Sequence, residues 1–544
     1  MMNEKDTDNI ILEEYENEFS YKKSKTNLNI EFNRIAFIFF IFLAISLIYS
    51  IQLLHLGSSK KENTVEIFKF SKKDYRADII DNNGNYLAKT VSSIDIGINP
   101  IEVIDKKKLL INLRLIFPDK NFDKIETKLS GKKFFYLEKK ISPENYEKIM
   151  LLGDKSIKPE EKLTRIYPHE NLFSHIIGQI DDNNNGISGI EKSLDLKLKE
   201  IQKPLQLTVD SDIQFLIRRE LIRFQPIFNN IGSAAILMDV NNGNILSMIS
   251  LPDFNLNERK TITDQNYINR VSKGVYEMGS VFKTFTVASG LNEEIIQTDT
   301  EFEDLPKSLE CANRPIREYD EKMPTDLTVE EILIKSGNIG SVRIAQAVGI
   351  KKFSSFLEKL GLLNKIEFDI EEVGEPHAIR WGKCKLATAA FGHGITTTPL
   401  QLAKAYSIIV NGGYDISPTL IKQNLQKENK LILEKGVSEK MNLILRKIVS
   451  SKEGTANFAN IYGYEIGGKT GTAEKSVAGG YSKNKKINTF VSVFPTSNQK
   501  YILALMLDEP KGNSDYVYHY RDGSNIKYKG TPFNTAGWTT VEVT

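Results

Sequence analysis

The chain reads as an α+β protein: a five-stranded antiparallel sheet with helices on both sides, set on an elongated N-terminal pedestal behind a single transmembrane helix. Three observations lead to this class. An uncharged apolar run extends from Ile35 to Leu54, which at about 1.5 Å per residue spans the hydrocarbon core of a bilayer. Two strand-like runs, Gly232–Val240 and Asn244–Leu251, flank Asn241-Asn242-Gly243, a strong hairpin signal. Three more strand-like runs, Tyr464–Thr472, Ile487–Pro495 and Tyr501–Asp508, follow a long and mostly helical middle, so five segments are available for one antiparallel sheet.

In chain order, residues 1–34 are polar, charged and without periodicity, the signature of a flexible tail. Residues 35–56 form the anchor. A cleaved signal peptide is the competing reading, but its polar preamble is short and its apolar part about half this length. Lys22, Lys23, Lys25 and Arg34 precede the run and Lys60, Lys61 and Lys69 follow it, so the positive-inside bias is slight. Residues 57–204 carry no constellation of catalytic groups. Asn83-Gly84 marks a hairpin between two short strands, and lysine-rich helical segments run from Lys106 to Gly153. This region is expected to be a spacer that lifts the next domain off the membrane, with a docking surface for partners as the alternative. Residues 205–544 form the compact domain.

Composition excludes several functions. At 544 residues, 40% hydrophobic and 26% charged, the chain has ample material for a large core and more than one domain. A net charge of +2 gives no reason to expect nucleic acid as a partner. Two cysteines, Cys311 and Cys384, exclude a disulfide-rich scaffold and a cysteine-cluster zinc site. Two buried thiols are the favoured reading, with a single disulfide as the alternative. The six histidines show no metal-ligand spacing and there is no phosphate or dinucleotide loop, so neither metal nor cofactor is expected. His393, Trp381 and Trp538 are read as structural, and charge runs such as Glu160-Glu161-Lys162 as solvated faces.

The chemistry centres on Tyr276-Glu277-Met278-Gly279-Ser280-Val281-Phe282-Lys283. If a helix runs from Ser280 to about Asn292, Ser280 occupies its first turn and Lys283 projects from the same face. The helix N-terminus suits an attacking alkoxide and the oxyanion that follows. A lysine neutralised by burial and by cationic neighbours can take the serine proton. Alone, Ser-x-x-Lys is weak evidence, because Ser58/Lys61, Ser130/Lys133, Ser482/Lys485 and Ser524/Lys527 match it too. Two later elements give it weight. Ser336-Gly337-Asn338 is expected in a loop between helices, Ser336 relaying a proton and Asn338 holding Lys283 and a substrate amide. Lys469-Thr470-Gly471-Thr472 contains the chain's single Lys-Thr-Gly. On an edge strand, Lys469 supplies a fixed positive charge for a substrate carboxylate and Thr470 a hydroxyl. Gly471 admits a peptide backbone, and the N–H of Thr472 faces that of Ser280 across an oxyanion.

These three motifs together resemble the signature of penicillin-binding proteins and serine β-lactamases. The stretches Arg76–Ala88, Arg165–Gly178, Gly186–Glu191, Asn269-Arg270, Phe391–Gly394, Thr398–Ala403, Asn411–Gly413, Gly454–Ala456 and Gly467–Lys475 are similar to those of class B penicillin-binding proteins. Tyr276–Ser280 resembles the division-specific FtsI subgroup. The resemblance covers roughly residues 30 to 540. It implies a penicillin-binding transpeptidase or serine β-lactamase-like domain outside the cytoplasmic (inner) membrane, with the N-terminus cytoplasmic. It implies a peptidoglycan D,D-transpeptidase that cross-links stem peptides ending in D-Ala–D-Ala at the septum through a Ser280 acyl-enzyme. Penicillins and other β-lactams are implied inhibitors, and a SEDS-family glycan polymerase and other division proteins implied partners. A D,D-carboxypeptidase or β-lactamase is the rival enzyme, although the Glu-x-x-Leu-Asn element of class A β-lactamases is missing from the sequence. A non-catalytic division scaffold or β-lactam sensor is the rival from another class.

Two departures from the family pattern stand out. Ala77 replaces a frequent glycine. The chain ends at Gly537–Thr544, where relatives usually continue into a further helix; if that helix covers the sheet, an apolar face is expected to lie exposed here.

Overall fold

A computed structural model describes residues 27–58, 75–258, 265–311, 315–423, 429–477 and 480–544. The expected tail up to residue 26, and all the lysines flanking the anchor, lie outside the described residues. The chain divides into two units, residues 1–70 and 71–544. In the first, helix α1 (Asn27–Ser58) contains the stretch Arg34–Leu54 with a mean hydropathy of 2.5, long and apolar enough to cross a membrane. Its apolar side chains, from Ile35 to Leu54, are exposed rather than packed.

The second unit opens with a small mixed layer. Strands β1 (Ile79–Ile80) and β2 (Tyr86–Ile98) form the expected hairpin, turned at Gly84 with φ of +92°, a conformation that suits glycine. Helices α2 (Lys106–Ile116) and α3 (Phe122–Ser130), strand β3 (Phe135–Glu138), helix α4 (Pro143–Met150) and strand β4 (Ile157–Ile166) follow. Here the sequence reading fell short. β2 is 13 residues long and pairs with β4 from Lys89 opposite Ile166 to Ile98 opposite Ile157. The run Glu160-Glu161-Lys162 is therefore strand. Its solvent-facing charges mask the alternation that would have announced it. Ile96, Ile98, Leu109, Leu113, Leu129 and Ile149 close a separate small core.

A buried ion network ties this layer to the rest. The Arg76 guanidinium donates to both the side chain and the backbone carbonyl of Glu191, and its Nη1 reaches Asp195 at 2.7 Å. Arg165 Nε donates to the same Glu191 at 2.7 Å and its Nη1 to Thr90 Oγ1 at 2.9 Å. Two guanidiniums on one carboxylate satisfy charges that could not otherwise be buried. β1 then runs parallel to β5 (Leu205–Gln206). Asp81 accepts the hydroxyl of Ser211 at 2.6 Å, at the start of α5 (Ser211–Phe228).

The main sheet contains the five expected strands. β6 (Gly232–Asp239) and β7 (Ile245–Leu251) come first. The helical middle includes α6 (Lys283–Asn292), α7 (Val329–Ile334), α8 (Asn338–Val348), α9 (Lys383–Ala389), α10 (Pro399–Val410) and α11 (Lys435–Ser450). Strands β8 (Gly467–Val477), β9 (Gly480–Phe494) and β10 (Tyr501–Asp508) complete the sheet, whose order is β8-β9-β10-β6-β7, antiparallel throughout. β8 starts three residues later than expected and lies at the edge. Alternation divides the strands between two cores. Ala234, Ile236, Met238, Phe490, Ala504 and Met506 join the side that holds α6, α10 and α11. Ala235, Leu237, Ile249, Leu503, Leu505 and Leu507 face Leu221, Phe224 and Phe228 of α5.

Two expectations are corrected. The apolar face expected at the end of the chain is covered, because α5 lies over it and Val543 of α12 (Thr540–Val543) joins the same cluster. Leu503 and Leu507 are accordingly 9% and 1% exposed. The cysteines are not free thiols: Cys311 and Cys384 are disulfide-bonded, with Cα atoms 5.4 Å apart across a separation of 73 residues. Nothing in the linear sequence shows that a loop before residue 315 and helix α9 become neighbours.

Candidate active site

Ser280 is held by a sharp entry into α6. Gly279 has φ of +62° and a 3₁₀ turn, Gly279–Phe282, precedes the α-helix, so Ser280 sits in a tighter turn than the α-helical one expected. The turn lies against β8. A Cβ on Gly279 would lie 2.6 Å from the Thr472 carbonyl oxygen, and one on Gly471 would lie 2.2 Å from that of Met278. Both positions demand glycine for close approach. On its Cβ side Gly471 is approached by the protein's own turn. From behind, Tyr406 of α10 donates to the Val281 carbonyl at 2.7 Å and meets Thr284 Oγ1 at 2.8 Å.

Ser336 and Gly337 lie between α7 and α8, and Asn338 opens α8 rather than lying in the loop expected between helices. Ser336 itself has φ of +61°, an uncommon conformation for a residue with a Cβ. It turns both of its oxygens inward. Lys283 Nζ donates to the Ser336 carbonyl and, at 3.1 Å, to Ser336 Oγ. Lys469 Nζ reaches the same Oγ at 2.9 Å and the Thr470 carbonyl at 3.1 Å. The two lysines of two distant motifs thus share the hydroxyl of the third. Asn338 does not supply the hold on Lys283 that was expected of it; its Nδ2 donates to the Arg317 carbonyl at 2.8 Å.

Electrostatics follow from burial. Lys283 and Lys469 are both 0% exposed. Desolvation brings Lys283 down to about 7, opposed by the charge of Glu318. Lys469 is pushed well below the usual lysine range by burial and by Lys283 beside it. Burial and the second ammonium group at the same hydroxyl both act against the positive charge expected at Lys469.

A cleft of about 630 Å³ opens over this arrangement, lined by Ser280, Ser336, Asn338, Thr470 and Thr472. Thr470 Oγ1 contacts Thr455 Oγ1 at 2.7 Å and Thr472 Oγ1 accepts the Ala536 N–H at 2.9 Å. The walls also contain residues that the sequence reading left bland or passed over: His393, Trp538, Tyr319, Glu474 and Tyr520. His393 Nδ1 lies 3.6 Å from Glu277, whose carboxylate also accepts Tyr481 Oη and the Gly394 N–H, each at 2.9 Å. A glycine-rich Phe-Gly-His-Gly stretch beside a carboxylate two residues before Gly279 was the available signal. Trp381, by contrast, packs on Phe353 as expected.

A serine-bearing turn pressed on an edge strand, with two buried lysines meeting at a second serine, is an arrangement whose chemistry suits acyl transfer. Comparison with known proteins gives its class: the chain belongs to the penicillin-binding protein transpeptidase family, whose transpeptidase domain matches residues 233–524, with the penicillin-binding protein dimerisation domain matching residues 71–227. The chain is 30% identical over 455 residues to a probable peptidoglycan D,D-transpeptidase FtsI of Caulobacter vibrioides, covering 81% of this chain and 77% of that one. It is 26% identical over 480 residues to the peptidoglycan D,D-transpeptidase FtsI of Escherichia coli, covering 81% and 80%. Within the family it is a class B, FtsI-type transpeptidase, and with the apolar helix α1 it is membrane-anchored. Its fold is that of penicillin-binding protein 3 from Mycobacterium tuberculosis, solved in complex with aztreonam, with a TM-score of 0.66, 20% identity and coverage of 87% of this chain and 95% of that one.

Proposed function

We propose that Ser280 is the nucleophile of a D,D-transpeptidase that cross-links stem peptides ending in D-Ala–D-Ala at the division septum. The meeting of Lys283 and Lys469 at Ser336 Oγ, beneath a cleft lined by Ser280, carries this reading. Lys283, about half of it neutral near pH 7, takes the Ser280 proton as the oxygen attacks the penultimate D-alanine carbonyl. Thr472 and Ser280 N–H groups receive the oxyanion. The C–N bond breaks, and the proton held by Lys283 passes through Ser336 to the leaving D-alanine amine. An acceptor amine on a neighbouring stem then attacks the ester, its proton returns to Ser280, and the cross-link is released. Substrate carboxylate at Thr470 and Lys469 supplies the counter-charge that restores the lysine's proton. Asn338 and the edge of β8 around Gly471 align the donor peptide. Penicillins and other β-lactams enter as acyl donors that leave slowly.

In this reading residues 1–34 are a cytoplasmic tail, 35–56 a single pass through the inner membrane, 57–204 the pedestal and 205–544 the transpeptidase domain in the periplasm. A SEDS-family polymerase supplies the glycan strands, and other division proteins bind the pedestal. Intact-protein mass spectrometry of the full-length chain in detergent, followed over time with a penicillin beside Ser280→Ala, tests the chemistry. A lasting adduct on the parent and none on the variant is expected. An adduct that disappears as the drug is hydrolysed would identify a β-lactamase instead.

A further inference from the structure

Lys283, Lys469 and Ser336 are placed by their motifs, but the loop that carries Ser336 is held by a residue outside all three. Ile316–Arg317 is a short strand paired antiparallel with Ser308–Leu309, and Glu318 follows it, half-buried. The Glu318 carboxylate accepts the backbone N–H groups of Asn338 and Ile339, each at 2.7 Å. These are two of the otherwise unpaired donors at the start of α8, where negative charge is favoured. The residues on either side add to the hold. The Arg317 carbonyl accepts Asn338 Nδ2 at 2.8 Å, and Tyr319 Oη donates to the Lys335 carbonyl at 2.9 Å. Three consecutive residues thus bracket Ser336-Gly337-Asn338 from both ends. On the paired side Cys311 is bonded to Cys384 of α9, so this bracket is anchored to the helical layer.

We propose that Glu318 is a positioning residue of the transpeptidase site, which keeps Ser336 in its left-handed turn against both lysines and directs a negative charge towards Lys283. The proposal rests on the reading of Ser280, Lys283 and Ser336 as the acylation site. Without the bracket, a serine at φ of +61° has reason to relax to the ordinary α or β region, withdrawing the oxygens that Lys283 uses. Burial disfavours the proton of Lys283 and the charge of Glu318 from the bracket favours it; Lys469 from β8, at the same hydroxyl, is itself pushed down by Lys283. Two effects are therefore separable. The hydrogen bonds set how fast the site works, and the charge sets the pH at which it starts to work.

The test is the second-order rate of acylation of the full-length chain in detergent by a fluorescent penicillin, measured across pH for the parent, Glu318→Gln and Glu318→Asp. In Glu318→Gln the acidic limb is expected to move down by about half to one pH unit and the plateau to fall about tenfold. Glu318→Asp keeps the charge and returns the limb to the parent position, with a plateau lowered by the shorter reach. A Glu318→Gln profile that superimposes on the parent overturns the proposal. So does a uniform loss with an unmoved limb, which is what a merely structural residue gives. Should Glu318→Gln fail to fold, the aspartate variant decides: parent limb with a lowered plateau supports the bracket, and an unchanged profile refutes it. Ser280→Ala run in parallel separates the two levels. An adduct on that variant removes the acylation site itself, whereas its absence leaves the Glu318 result to stand alone.

Discussion

Replacing Gly471 by alanine probes the contact on which the site is built. The new Cβ would lie 2.2 Å from the Met278 carbonyl oxygen and 3.0 Å from Val281 Cγ1. Because real Cβ contacts begin near 3.0 Å, the turn bearing Ser280 and strand β8 must separate by about 0.8 Å. The obstacle is backbone, which cannot rotate aside, and Tyr406 holds the far side of the turn through the Val281 carbonyl. Overpacking of this kind costs about 1–3 kcal/mol of stability, small enough for the domain to remain folded. The effect on chemistry is larger, since a displacement near 1 Å at a reacting centre lowers rates about 100-fold. The assay is acylation of the full-length chain by a fluorescent penicillin, with thermal melting as the check on folding. Gly382→Ala is the control, because no atom of the described residues lies within 4 Å of the Cβ it would add. A folded Gly471→Ala protein acylated within about threefold of the parent rate, a difference of under 1 kcal/mol in barrier, would refute the claim that the strand positions the nucleophile.

Two further outcomes follow from charges and their burial. Acylation of the parent is expected to rise about tenfold for each pH unit below 7 and to flatten above it, because Lys283 at about 7 is a base only once its proton is lost; a rate constant between about pH 6 and 8 would count against Lys283 as the base. Glu191→Ala leaves Arg76 and Arg165, 1% and 2% exposed in their side chains, around a lost carboxylate. Asp195 compensates Arg76 in part. A loss of about 3–5 kcal/mol is expected, read as a fall of the first melting transition by about 5–10 °C; an unchanged melt would show that solvent reaches both guanidiniums.

Much of this protein was legible in its sequence, for reasons of local physics. The apolar run 35–54 announces a spanning helix by length and lack of charge. Asn83-Gly84 and Asn242-Gly243 announce turns because both need positive φ, seen at +92° for Gly84 and +76° for Gly243. Four strands of the sheet could be found because each contains a buried apolar stretch, whereas β8, Gly467–Val477, holds a single buried apolar residue, Ala473. Ser280, Lys283, Ser336 and Lys469 were found as motifs, and the fold brings three of them to one hydroxyl. What the sequence left undecided are relations between distant segments. β4 hides its strand character behind solvated charge, since most of its residues are exposed or only half-buried. The pairing of Cys311 with Cys384, the covering of the sheet by α5, and the filling of Gly471's vacant side by the turn that carries Ser280 each depend on which surfaces meet. Glu318 shows the limit most clearly. It belongs to no motif, 20 residues before Asn338, and nothing about a lone glutamate in a loop distinguishes it from a solvated one until the fold sets its carboxylate on the amides of α8.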